Sequence, residues 1–181
     1  MNRNEAWILV QSMVKNRNLV KHMLATEACL RALARRLDEN EEQWGLAGLI
    51  HDLDYEQTKN DPARHGIVST KLLESRGINA EIIHAVLAHA GHAPLESTLD
   101  KALYAADPLT GLIVAAALMH PKKSLAGLDT GFILRRFKEK KFAAGANREQ
   151  IKTGTGLGLS LEEFITVCLN AMQGISDQLE L

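Results

Sequence analysis

Leu46-Ala47-Gly48-Leu49-Ile50-His51-Asp52-Leu53-Asp54 is an apolar run with an imidazole and a carboxylate side by side at its polar end. A buried carboxylate next to an imidazole is costly unless its charge is compensated, and a divalent cation compensates it. Further donors of the same kind stand at His22 upstream and at His65, His89 and Asp107 downstream, each inside an apolar-periodic segment of its own. Six donors spread over five segments make a metal constellation rather than a short motif.

The composition suits such a site. With 181 residues, 46% of them hydrophobic, the chain is expected to form one core-bearing domain. The 21 basic and 22 acidic residues nearly cancel, which argues against a nucleic-acid polymer or a membrane as partner. Positive charge gathers between Lys122 and Lys152. Cys29 and Cys168 have no metal-type spacing and cannot build a disulfide framework, so a reducing compartment fits best. The apolar run from Trp7 is too short for a signal sequence, no membrane span is expected, and the protein reads as cytoplasmic.

Apolar residues recur at three and four, and no stretch holds a period of two, so the chain reads as all-α. Helices are expected over about Asn4–Lys15, Leu19–Leu37 and Glu41–Leu53. Asp61-Pro62 opens another that runs to Arg76 and stops at Gly77. Asn79 caps Ala80–Ala90, and a long helix over Thr98–Leu118 is interrupted at Asp107-Pro108, where proline removes a backbone donor. Beyond Pro121, short helices carry the basic cluster and Gly154–Gly158 reads as a flexible connector. Ser160-Leu161-Glu162-Glu163 fits a capping box that opens a last helix. The expected division is a ligand-bearing core over 1–120 and a helical extension over 121–181 packed on it.

Imidazole and carboxylate suit iron, manganese, cobalt, nickel or zinc, and the lack of a nearby thiolate argues against a structural zinc cluster. Six donors exceed the need of one catalytic ion. With Asp52 as a bridge, His22, His51 and Asp107 can serve one ion while His65 and His89 serve a second. Such a pair, ~3.5–4 Å apart, clamps a phosphoryl group and supplies a metal-bound hydroxide at neutral pH.

The order His22, His51-Asp52, His65, His89, Asp107 on successive helices resembles the HD-domain superfamily of metal-dependent phosphohydrolases over about residues 19–118. Ala85-Val86-Leu87-Ala88-His89 and Leu99-Asp100-Lys101-Ala102-Leu103-Tyr104-Ala105-Ala106-Asp107 are similar to the bacterial branch with symmetrical diadenosine tetraphosphate hydrolases. The resemblance implies an HD-domain helical bundle, the same ligand set, and hydrolysis of a small phosphorylated metabolite or nucleotide. It also implies two alternatives: a diiron oxygenase, or a metal or nucleotide sensor without turnover. Many relatives have Gly and Lys soon after the His-Asp pair, where this chain has Leu53-Asp54-Tyr55-Glu56.

Other residues carry weaker expectations. Asp54 and Glu56 follow the ligand pair and are candidates to orient water or protonate a leaving group, although loop acids are usually solvated. His92 is a candidate substrate contact, whereas His84 and His120 read as packing residues. Phosphates need cationic partners, so Arg135, Arg136, Lys141 and Arg148 are candidates to fold over the site. The oligomeric state is left open, with a homodimer as one option.

Overall fold

Asparagine and serine side chains start most of the helices, because their oxygens accept backbone N–H groups that have no partner inside a first turn. The computed structural model describes residues 1–181. It consists of α1 (Arg3–Met13), α2 (Arg17–Leu37), α3 (Glu41–Ile50), α4 (Tyr55–Thr58), α5 (Ile67–Ser75), α6 (Ala80–His89), α7 (Thr98–Met119), α8 (Thr130–Lys138), α9 (Arg148–Lys152), α10 (Leu161–Gln173) and α11 (Ser176–Leu179). Short 3-10 turns join some of them, and no strand is present. Asn16, Asn40, Asn79, Ser97 and Ser160 cap α2, α3, α6, α7 and α10, the last two through full capping boxes.

The two long helices, α2 and α7, pack against each other at the centre. α2 also packs on α3 and α10, and α7 on α6, α8 and α9. A single hydrophobic core runs through the whole chain: Leu30, Leu33, Leu49, Leu103 and Leu112 share it with Ile133, Ile151, Phe164 and Cys168. Each fully buried leucine contributes roughly 1.5–3 kcal/mol through removal from water. The segment after Pro121 supplies side chains to this core, packing on both central helices. α7 is apolar and long enough to cross a membrane by length and composition alone, but 56% of that window is buried inside the fold, as in the core helix of a globular domain, and it carries Asp107.

Three local expectations change. The helix expected from Asp61 is instead a 3-10 turn over Pro62–Arg64 that breaks at His65 and Gly66 before α5 starts. α7 continues through Pro108. The Tyr104 carbonyl, which Pro108 cannot reach with an N–H, accepts a 2.8 Å bond from the Gln150 side chain instead. The glycine string is a packed 3-10 turn, not a flexible connector: a Cβ on Gly154 would lie 2.8 Å from the buried Phe164 ring.

Candidate metal centre

Two glycines bring the donor-bearing segments together. Gly48 in α3 lies so close to α2 that an added Cβ would meet the Glu27 nitrogen and the Thr26 oxygen at 2.8 Å, and this contact sets His51 beside His22. Gly66 takes φ +77°, which L side chains rarely adopt, and an added Cβ would lie 2.9 Å from that of Ala90. The chain thereby leaves helical geometry at His65 and turns its ring toward His89, with the two ring centroids 5.0 Å apart.

All four imidazoles are held through Nδ1 and present Nε2 to a common centre. His51 Nδ1 donates to the Gly48 carbonyl at 2.8 Å and His89 Nδ1 to the Val86 carbonyl at 2.6 Å. His65 Nδ1 donates to Asp54 Oδ1 at 2.9 Å. The Thr110 hydroxyl gives its proton to the Asp107 carbonyl at 2.8 Å, so it accepts from His22 Nδ1 at 2.9 Å. A carbonyl or carboxylate on Nδ1 fixes the tautomer that leaves the Nε2 lone pair free for a metal.

Those lone pairs surround Asp52. Its Oδ2 lies 3.6 Å from both His22 Nε2 and His51 Nε2. Its Oδ1 lies 3.3 Å from His65 Nε2 and 3.6 Å from His89 Nε2. Asp107 Oδ1 joins the first group, 3.1 Å from His22 Nε2 and 4.0 Å from His51 Nε2. The donor set fits a divalent cation on two counts. His22 Nε2 and His51 Nε2 approach to 3.2 Å, which two bare lone pairs tolerate only with a cation or proton between them, and His89 Nε2 is buried without a hydrogen-bond partner. His22, His51 and Asp107 form one group of converging ligand atoms, and His51, Asp52 and His89 another.

The electrostatics point the same way. Burial holds the His51 imidazole down to about 4, so it is neutral and ready to ligate at pH 7. Burial also acts on His22, but the hydrogen bond and charge of Asp107 outweigh it and raise that imidazole above its ordinary value. Asp52 is lowered despite its burial, because His51, His89 and His22 surround it. The cluster thus favours positive charge at its centre. His51 is fully enclosed, whereas the side chains of His22, Asp107 and His65 are 22%, 27% and 18% exposed and form the open side.

Asp54 is fully buried rather than a solvated loop acid. Its Oδ1 accepts from His65 Nδ1 and the Gly66 N–H, and its Oδ2 from the Ser69 N–H at 2.8 Å and the Ser69 hydroxyl at 3.0 Å. With both oxygens engaged it positions His65 and has no free edge for proton transfer to a substrate. Glu56 accepts the N–H groups of Lys15 and Asn16 at 3.0 and 2.6 Å, tying the turn between α1 and α2, so it too has a structural engagement. His92 is exposed on the turn after α6. His84 pairs with the buried Asp100 at 3.0 Å, and His120 meets the Phe132 ring edge to face.

The three arginines of the basic segment are engaged locally. Arg148 donates to the carbonyls of Ala143 and Ala146 at 2.7 Å and also to that of Phe142. Arg136 pairs with Glu139 at 2.8 Å and lies over the Phe132 and Phe142 rings. Arg135 lies over Phe132, and Lys141 is exposed. The partners found for these arginines all lie within residues 132–146.

The family model described as HD domain matches residues 19–117, the span that holds all six donors. Ribonuclease Y of Oleidesulfovibrio alaskensis is 28% identical over 96 residues, 53% of this chain and 18% of that protein. Ribonuclease Y of Pelobacter propionicus is 31% identical over 94 residues, 52% of this chain and 18% of the relative. The chain thus spans under one fifth of the length of these relatives. No solved structure gives a significant match.

Proposed function

The chain belongs to the HD domain family, and on that premise we propose that it is a hydrolase of small phosphorylated metabolites or nucleotides with two divalent ions at the cluster. The observation that carries the reading is the division of Asp52, with Oδ2 toward His22 and His51 and Oδ1 toward His65 and His89. His22, His51, Asp52 and Asp107 would hold one ion, and Asp52, His65 and His89 the other. When bound, such a pair draws charge from a phosphoryl group and lowers the pKa of a water from 15.7 to about 7.

The chain's own residues orient this chemistry. Asp54, Thr110 and the carbonyls of Gly48 and Val86 fix the four rings, and the half-open edge at His22, Asp107 and His65 receives the phosphate. No side chain there is placed as a nucleophile, so water attacks, and the leaving oxygen takes its proton from solvent. The free, buried Cys29 and Cys168 support a cytoplasmic setting.

An RNA phosphodiester is the second reading, favoured by the Ribonuclease Y relatives. The test is a screen of phosphate release from nucleotides, dinucleotides and sugar phosphates, with RNA oligonucleotides alongside, in Mn²⁺, Co²⁺ or iron, with and without O₂. Anaerobic turnover of a small phosphate ester is expected. Turnover that requires O₂, or turnover of RNA alone, contradicts the proposal.

A further inference from the structure

Two cations of α2 that precede His22 in sequence, Arg17 and Lys21, hold a carboxylate. Lys21 adjoins His22 in sequence, and Arg17 lies one turn earlier. Lys21 Nζ contacts Glu180 Oε2 at 2.6 Å and Arg17 Nη2 contacts Glu180 Oε1 at 2.6 Å. Glu180 follows α11 with φ +57°.

This ion pair separates two cavities. One, of about 360 Å³, is lined by His22, Thr110, Gly111, Val114, Leu118 and Leu179. The other, of about 470 Å³, has Trp7, Gln11, Val14 and Leu24 on its walls. Lys21 and Glu180 line both. The first cavity thus brings a cation and an apolar wall to His22, the one donor of the metal centre that lines it, and to Thr110, which holds the His22 ring, and its size suits a small organic group. Gly111 adds an independent sign. It sits inside α7, where glycine is less favourable than alanine, yet nothing lies within 4 Å of an added Cβ. Packing does not require that glycine, which is exposed and lines the cavity.

We propose that this cavity is the substrate pocket of the metal centre: it takes the apolar or aromatic group of an organophosphate, and Lys21, with Arg17 beyond it, exchanges Glu180 for the substrate's anionic oxygens. The inference rests on the phosphohydrolase reading and names its binding residues. Glu180 then competes with substrate for the same cations, so removing its charge strengthens binding, whereas removing Lys21 weakens it. A purely structural ion pair gives no such opposite signs.

The test uses the full chain loaded with Mn²⁺. The Kd of phenylphosphonate, which is not hydrolysed, is measured by calorimetry beside the KM for p-nitrophenyl phosphate. Lys21→Ala is expected to raise both by about tenfold, as for loss of one charge-assisted hydrogen bond, and Glu180→Gln to lower both by about threefold or more. Gly111→Leu, a better helix former, is expected to weaken phenylphosphonate while leaving inorganic phosphate binding unchanged. Metal content is expected to stay constant in all three. Constants within about twofold of wild type in Lys21→Ala and Glu180→Gln, shifts in the same direction, or no binding of phenylphosphonate at all would overturn the pocket. Hydrolysis with unshifted constants overturns the pocket alone, whereas the expected Kd shifts without hydrolysis of any ester overturn the hydrolase reading and leave the pocket standing.

Discussion

The six donors of the metal centre, Asp52 among them, and the basic run Arg135–Lys141 are two dense collections of reactive or charged side chains, and they behave in opposite ways. The donors come from five distant segments and converge until ligand atoms lie 3.1–4.0 Å apart. The cations are neighbours in sequence and disperse, taking an adjacent glutamate, two aromatic faces or solvent. The difference lies in burial. A buried imidazole or carboxylate must be satisfied inside the fold, so its position on an apolar helix restricts what it can meet. A surface arginine has several partners of similar and small worth, so local density says little about a shared target.

That contrast is broken most severely at Asp52. Asp52→Ala removes the one side chain that the two proposed ion sites share, and hydrolysis should fall below detection while circular dichroism keeps the helical signal. Near-wild-type turnover would refute the assignment.

One step outward, Asp54→Asn retains shape but weakens the acceptor that fixes His65 Nδ1. Metal affinity or kcat should drop by about 10–100-fold, as for other partners of ligating histidines. An unchanged metal titration would return Asp54 to a purely structural role.

On the basic side, Arg148→Ala strands several carbonyls that its guanidinium now gathers. It should destabilise the fold by about 1.5–3 kcal/mol in denaturant titrations and leave KM unaltered. A raised KM at unchanged stability would instead place Arg148 at the substrate.

The smallest effect is expected from Arg135→Ala, Arg136→Ala and Lys141→Ala, each leaving kcat/KM within about twofold, since exposed charges with alternative partners contribute little. A tenfold loss at any one of them would restore the lid that the sequence suggests.

The same contrast explains how far the chain could be read in advance. His22, His51, Asp52, His65, His89 and Asp107 were legible because ligand types interrupt apolar helical periods, where chance polar residues are costly. The caps at Asn79 and Ser160 were legible because capping is local chemistry. Asp54 was not: its engagement with His65 depends on the break at Gly66, and nothing within one turn signals it. Thr110 lies three residues after Asp107, and helical spacing offered a hint that it lies near that ligand. The Lys21–Glu180 pair joins residues 159 positions apart, and the Gln150 bond to Tyr104 repairs a proline defect from another helix. Such contacts arise from tertiary packing, which a periodicity does not encode.

The central claim is that Asp52 is shared between two ion-binding groups, and elemental analysis tests it most directly. Protein purified without chelator should carry two divalent ions per chain. The variants His65→Ala and His89→Ala should each retain one, at His22, His51, Asp52 and Asp107. A single ion in wild-type protein at saturating metal, unchanged by either substitution, would contradict the account.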